Sequence, residues 1–106
     1  MSQVKPVIFS PDAILDLEDI WLYIAQDDID RADRFVDKLR AFCEGELALF
    51  PEIGAPRDYL SKGVLAFPYR NYMLYYRISK GEVQIIRIMH GSVDKESGFS
   101  EIQRGR

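Results

Sequence analysis

Two amphipathic stretches separated by a few acidic residues constrain this chain most. "SPDAILDLEDIWLYIAQ" carries an apolar stripe at helical spacing, made of Ile14, Leu17, Trp21 and Ile24. "DDIDRADRFVDKLRAFCEGELALF" carries a second such stripe, made of Ala32, Phe35, Val36, Leu39, Phe42, Cys43 and Leu47. Because so few residues join the two helices, we expect an antiparallel helical hairpin. Its apolar stripes must then be buried against the rest of the chain.

The ends of both helices are marked by local sequence signals. Ser10 is a favourable N-cap for the first helix, and Pro11 suits the first helical position. Either Asp28 or Asp30 can cap the second helix, and Pro51 ends it because proline cannot continue a helix.

The other elements are predicted to be strands. "VKPVIF" predicts a first strand, with Pro6 indicating either an edge position or an irregular start. "VLAF", "RNYMLYYRI" and "VQIIRIMH" follow a loop rich in Pro and Gly, and "SKGE" predicts a tight hairpin turn. The predicted fold is α+β, in the order β-α-α-β-β-β, with the helical hairpin packed on one face of a small, mostly antiparallel sheet. We expect one domain over residues 1–106, with about 95–106 forming a C-terminal tail.

The last hairpin predicts a sheet that is apolar on both faces. If Lys80 and Gly81 form a two-residue loop, Ser79 pairs with Glu82 and the pairing continues outward from there. A three-residue turn would shift this pairing but would keep two apolar faces. One face then carries Tyr72, Leu74, Tyr76, Ile78, Val83, Ile85, Arg87 and Met89. The other carries Asn71, Met73, Tyr75, Arg77, Gln84, Ile86, Ile88 and His90. Since a helical hairpin covers one face only, we expect a partner to cover the other.

Charge is divided unevenly along the chain. Acidic residues outnumber basic ones twelve to five in residues 1–56, and basic residues outnumber acidic ones six to two in residues 57–90. The basic half suits an acidic partner, but the acidic half disfavours a long polyanion such as ribosomal RNA. The single cysteine, Cys43, lies in an apolar stripe and is expected to be a small buried hydrophobe. No apolar run approaches about 18 residues, so we expect a cytoplasmic protein without a membrane span.

The only histidine, His90, is the first candidate for catalysis. The face predicted for it offers Arg77 and Tyr75 but no carboxylate, so a hydrogen-bonded histidine at a strand end is the simpler interpretation. Arg87 lies within an apolar run and is expected to have a structural or interface role. Arg70 begins a strand after Pro68, where contact with a partner is the sharper hypothesis. No spacing typical of a metal site or of a phosphate-binding loop is present, and we expect no cofactor.

Four segments together resemble a known family. "SPDAILDLEDIWLYIA", "LFPEIGAPRDYL", "FPYRNYMLYYRI" and "VQIIRIMHGSVD" follow one another in an order similar to ParE toxins of the RelE/ParE superfamily, the toxic half of type II toxin–antitoxin pairs. The resemblance covers nearly the whole chain and implies the same β-α-α-β-β-β order. It also matches His90 and Gly91 to the His-Gly pair that precedes the family's C-terminal tail.

The superfamily contains two activities. Its ribosome-dependent endoribonucleases use an arginine within a pattern like Tyr-Arg-Leu-Val-Tyr, together with a C-terminal tyrosine or histidine. In this chain the matching stretch has Met73 in the place of the arginine, and no tyrosine follows Tyr76. A ribonuclease without that cation loses the main electrostatic stabilisation of its charged transition state. The resemblance therefore favours the ParE branch, which acts by binding.

ParE resemblance implies inhibition of DNA gyrase, neutralisation by a ParD-like antitoxin in a hetero-oligomer, and no direct sequence-specific binding of nucleic acid. Two alternatives stay open: a ribonuclease with displaced catalytic groups, and an inactive relative kept for binding its antitoxin. No residue is assigned to catalysis or to a metal. The candidates for contacting the target or the antitoxin are Arg70, Tyr72, Tyr75, Tyr76, Arg77, Arg87, His90 and Asp94.

Overall fold

The two predicted helices form a hairpin in the computed structural model, which describes residues 4–91. Helix α1 spans Pro11–Ala25, and helix α2 spans Ile29–Phe42. The indole Nε1 of Trp21 donates a hydrogen bond of 2.7 Å to Asp33 Oδ1, which ties one helix to the other.

Both helices begin where the sequence predicts. Ser10 Oγ accepts from the Ala13 N–H at 3.0 Å, and Asp28 Oδ1 accepts from the Arg31 N–H at 3.0 Å. Each side chain satisfies one of the N–H groups that the first turn of a helix leaves unpaired. Of the two aspartates considered for the second cap, the structure selects Asp28.

The second helix continues through a π-helical turn at Cys43–Leu47, and the helical path stops before Phe50. A short 3₁₀ turn, Pro51–Ile53, then leads into the loop. The Cys43 side chain is fully buried, which confirms the prediction of a small buried hydrophobe. Burial raises the pKa of its thiol to about 12, so near neutral pH the thiol stays protonated and the nucleophilic thiolate is disfavoured.

A five-stranded sheet in the order β1-β5-β4-β3-β2 covers one side of the hairpin. The strands are β1 Val7–Phe9, β2 Ala55–Pro56, β3 Leu65–Tyr69, β4 Tyr72–Ser79 and β5 Glu82–His90. Strand β1 is an edge strand, as predicted, and pairs in parallel with the start of β5, whereas the other pairings are antiparallel. Strand β2 was not predicted, because two residues are too short to show an alternating pattern.

A β-bulge corrects the predicted register of the last hairpin. The pairing of Ser79 with Glu82 holds outward as far as Tyr76 with Ile85, but then shifts by one residue, so that Tyr75 pairs with Arg87. The extra residue is Ile86, whose carbonyl accepts a hydrogen bond of 2.8 Å from Ser10 Oγ.

The shift exchanges the faces predicted for the end of β5. His90 lies opposite Tyr72, and Met89 lies opposite Met73. Ile88 joins the core under the helices instead of the second face. The predicted alternation of faces is correct on each side of the bulge. The extra residue, Ile86, exchanges the two faces for the residues of β5 that follow it.

The second face of the sheet is partly covered by the chain itself. The main core under the helices contains Leu17, Ile20, Leu39, Leu47, Leu74, Tyr76, Val83, Ile85 and Ile88. On the opposite face, Val64, Ala66 and Tyr75 are buried with contributions from Leu60, Met73, Ile86 and Met89. Because Leu60 belongs to the loop before β3, this loop supplies part of the cover that we expected from a partner.

Candidate functional site

The turn between β3 and β4 places Arg70 at the end of the sheet where β5 also ends. Tyr69 pairs with Tyr72, which leaves Arg70 and Asn71 as a two-residue turn. Arg70 has a φ of 56°, in the left-handed region that residues other than glycine adopt at an energetic cost. The Gly91 N–H donates a hydrogen bond of 2.6 Å to Asn71 O, which joins the turn to the end of β5.

A shallow groove of about 390 Å³ lies beside this turn. Arg70, Asn71, Met73, His90 and Gly91 contribute to its lining, and we call it the turn groove. His90 is exposed, and its ring meets the ring of Tyr72 edge-on, with centroids 5.1 Å apart and an interplanar angle of 88°. The bulge in β5 is what brings these two rings together.

Arg87 forms a largely buried ion pair with Asp16 of α1. Its Nε and Nη2 donate to the two carboxylate oxygens at 2.7 and 2.9 Å, and both side chains are 12% exposed. Asp16 Oδ2 also accepts the backbone N–H of Ile88 at 2.8 Å. The hydrogen bond to Asp16 raises the pKa of Arg87 against the opposing effect of burial, and the charges of Asp16, Asp12 and Asp19 raise it further. This arginine therefore has a structural role, one of the two predicted.

A second groove, of about 430 Å³, lies between α1 and the end of β5. From the helix it is lined by Asp16, Asp19, Ile20 and Tyr23, and from the sheet by Tyr72, Arg87, Ile88, Met89 and His90. It opens there because β1 pairs only with Val83–Ile85, so that beyond the bulge β5 is paired with β4 on one side and with no described strand on the other. We call it the α1–β5 groove.

The remaining candidates lie elsewhere. Tyr75 and Tyr76 are 1% and 0% exposed, so they belong to the two cores and not to an accessible surface. Arg77 lies toward the other end of the sheet, where it donates to Lys62 O at 3.1 Å and to Ser61 Oγ at 2.8 Å. Asp94 lies outside the described residues. The structure therefore brings together Arg70, Tyr72, Arg87 and His90.

Sequence reasoning missed the contribution of α1. Asp16, Asp19 and Tyr23 face the end of β5, and none of them was selected as a candidate. Their spacing of three and four residues places them along one side of a helix, which is the signal that could have found them. This second stripe is polar, so it does not stand out from a solvated helix face in the sequence.

Two further classes of site can be judged for residues 4–91. Within this range no three His, Cys, Asp or Glu side chains are grouped so that they could hold a metal ion. None of the helices described there has the length and apolar character needed to cross a membrane.

Residues 7–95 match the family model described as ParE toxin of type II toxin–antitoxin system, parDE. Among curated proteins, the chain is 32% identical over 92 residues to Toxin ParE1 of Caulobacter vibrioides. That alignment covers 86% of this chain and 94% of the relative.

Solved structures show the same fold at lower identity. The chromosomal ParDE toxin–antitoxin system of P. aeruginosa contains a chain that is 21% identical, with a TM-score of 0.68, covering 82% of this chain and 96% of that one. The RelBE2 toxin–antitoxin complex of Mycobacterium tuberculosis contains one that is 24% identical, with a TM-score of 0.66, covering 83% of this chain and 99% of that one. With the family model matched over most of its length, the chain belongs to the ParE toxin family of type II toxin–antitoxin systems.

Proposed function

We propose that this toxin acts by binding DNA gyrase, without cleaving RNA, and that a ParD-like antitoxin neutralises it in a hetero-oligomeric complex. Membership of the ParE family and similarity to Toxin ParE1 support the mode of action. The ParDE system that contains a similar fold supports an antitoxin of the ParD type.

The apolar surroundings of Met73 are the main support for an action by binding instead of RNA cleavage. Met73 stands where the ribonuclease branch of the superfamily has an arginine, and it packs with Tyr75, Ile86 and Met89 on the second face of the sheet. An apolar patch does not stabilise the negative charge that develops on a phosphate during RNA cleavage. A patch of this kind instead suits contact with a protein.

The strand arginines do not replace the missing cation. Arg87 is paired with Asp16 on the helix side, and Arg77 holds the loop at Ser61 and Lys62. Each guanidinium is thus engaged by the fold. The acidic helices also disfavour docking on ribosomal RNA.

A supercoiling assay with purified gyrase and the full chain tests this proposal. We expect supercoiling to fall and cleaved DNA to accumulate as the toxin is added, and the co-purified antitoxin to reverse both effects. Messenger RNA cleavage in a translating extract, with supercoiling unchanged, would establish the ribonuclease alternative. A chain that changes neither activity but still binds its antitoxin would be the inactive relative.

The turn groove is proposed to contact gyrase, and Arg70 allows a test that separates stability from activity. Glycine adopts a φ of 56° without steric cost, so we expect Arg70→Gly to raise the free energy of unfolding by up to about 1 kcal/mol. The same change removes an exposed guanidinium from the turn groove, so gyrase inhibition should weaken by about tenfold or more. Urea denaturation and the supercoiling assay measure the two effects.

Lys80→Gly is the matched control. Lys80 has a φ of 54° in the hairpin turn at the opposite end of the sheet. We expect Lys80→Gly to raise the free energy of unfolding by an amount similar to that of Arg70→Gly, and to leave gyrase inhibition unchanged. If Arg70→Gly inhibits gyrase as strongly as the original chain, the turn groove does not contact the target through this arginine.

A further inference from the structure

The α1–β5 groove has a net negative charge although an arginine lines it. The charge of Arg87 is neutralised by Asp16, whose carboxylate accepts hydrogen bonds of 2.7 and 2.9 Å from two N–H groups of the guanidinium. Asp19, one turn further along α1, is exposed and has no hydrogen-bond or ion-pair partner among residues 4–91. The fixed charge that the groove presents to solvent is therefore that of a carboxylate.

Aromatic side chains stand around this carboxylate. Tyr23 is 70% exposed at the rim, and Tyr72 lies on the sheet side of the groove. The two tyrosines line the same groove, and burial followed by the neighbouring Tyr23 raises the pKa of Tyr72. Ile20 and Ile88, both buried, contribute an apolar floor.

These surroundings match one kind of side chain. A lysine or arginine has an apolar stem that fits an apolar floor and a charged end that aromatic faces and a carboxylate attract. We propose that the α1–β5 groove receives a lysine or arginine side chain of the antitoxin, with its charge beside Asp19 and the rings of Tyr23 and Tyr72. The inference rests on the proposed function for the partner's identity, whereas the cationic preference of the groove follows from its own residues.

Nucleic acid is excluded as the occupant by the same charge. A phosphate backbone would meet the carboxylate of Asp19 with no unneutralised arginine in the groove, and this repulsion is unfavourable. The partner segment is therefore basic at this point, and its lysine or arginine serves as an anchor of the kind that dominates interfaces.

The first test uses small probes on the free, full-length toxin. N-acetyl-arginine amide, followed by NMR of the labelled chain, should shift the signals of Ile20, Tyr23 and Ile88, and the uncharged N-acetyl-norleucine amide should shift them far less. Asp19→Asn should weaken arginine binding by about fivefold or more, and Glu18→Gln should leave it unchanged because Glu18 does not line the groove. No shifts in the groove, or equal binding by both variants, would overturn the cationic preference.

The second test uses the complex with the antitoxin encoded beside the toxin gene. Asp19→Lys should raise the Kd by about tenfold or more, compared with Glu18→Lys, which makes the same charge reversal one residue away. Tyr23→Ala should weaken the complex, and Leu22→Ala, also exposed on α1 but outside the groove, should not. If Asp19→Lys and Glu18→Lys raise the Kd equally, the effect comes from long-range electrostatics, and the proposed contact is overturned.

Two other occupants give distinguishable results. Signals of residues 92–106 that move in free Asp19→Lys but not in Glu18→Lys would place a lysine or arginine of the chain's own C-terminal segment in the groove. A change in sedimentation between the same variants would place a second copy there. Either result overturns the antitoxin contact. An antitoxin that does not bind the original toxin contradicts the proposed function, while the arginine probe still decides whether the groove prefers a cation.

Discussion

Asp16→Ala is expected to lower the free energy of unfolding by about 3 kcal/mol, because it leaves a largely buried arginine without its counter-charge. Asp16 accepts from Arg87 Nε, Arg87 Nη2 and the Ile88 N–H. Arg87 Nη1 is already enclosed without a hydrogen-bond partner within the described range, so the change would leave the guanidinium with no described hydrogen bond. Urea denaturation followed by circular dichroism measures the effect.

Asp19→Ala is the matched control, since Asp19 is an exposed carboxylate on the same helix and should change stability by less than about 0.5 kcal/mol. Asp16→Ala combined with Arg87→Met should recover much of the lost stability, because an apolar side chain carries no unpaired charge. If Asp16→Ala costs no more than Asp19→Ala, the ion pair contributes little and Arg87 does not need its partner.

Tyr76→Phe is expected to lower the free energy of unfolding by about 2 kcal/mol, because it removes two buried hydrogen bonds while keeping the ring. The Tyr76 hydroxyl donates to Pro51 O at 2.6 Å and accepts from the Gly54 N–H at 2.9 Å. Phenylalanine would leave both backbone groups buried and unpaired. Tyr72→Phe, whose hydroxyl makes no hydrogen bond among residues 4–91, should cost less than about 0.5 kcal/mol in the same measurement.

The cost of Tyr76→Phe should also depend on pH. Burial raises the pKa of the Tyr76 hydroxyl from 10.0 to about 12, despite the opposing hydrogen bond from Gly54. The folded state therefore keeps this proton after the unfolded state has lost it, so the contribution of Tyr76 is complete up to about pH 9 and declines as pH rises through 10 toward 12. This pKa difference corresponds to about 2–3 kcal/mol, which is enough to erase the advantage of tyrosine over phenylalanine near pH 12.

Denaturation of both proteins from pH 8 to pH 11 checks this dependence. The difference between their free energies of unfolding should be constant up to about pH 9 and shrink above it. A difference that stays constant up to pH 11 would mean that the hydroxyl titrates alike in the folded and unfolded states.

Local features of this fold could be predicted because neighbouring residues decide them. Ser10 and Asp28 cap the helices with their own side chains, three residues from the N–H groups that they bind. Lys80 and Gly81 both adopt positive φ, as a tight hairpin turn requires. Helix caps and tight turns depend on a few consecutive residues. The periodicity of apolar residues along a helix is likewise a local pattern, repeated over several turns.

Only some of the residues predicted to bind a partner are accessible, because burial depends on every element that packs against a residue. Arg70, Tyr72 and His90 lie together at one end of the sheet, where strand order and hairpin turns place them. Tyr75 and Tyr76 looked equally suitable in the sequence, but the loop before β3 and the helical hairpin cover them.

By itself, the sequence determined the two helices, their caps, the last hairpin turn and the family, since these depend on local pattern and on motif order. Tertiary structure alone decided the bulge at Ile86, the pairing of Asp16 with Arg87 and the groove between α1 and β5. Residues 16 and 87 are 71 positions apart, and no local rule relates them. They meet because burial of the apolar stripes docks α1 beside the end of β5, and that docking is a property of the whole packed core.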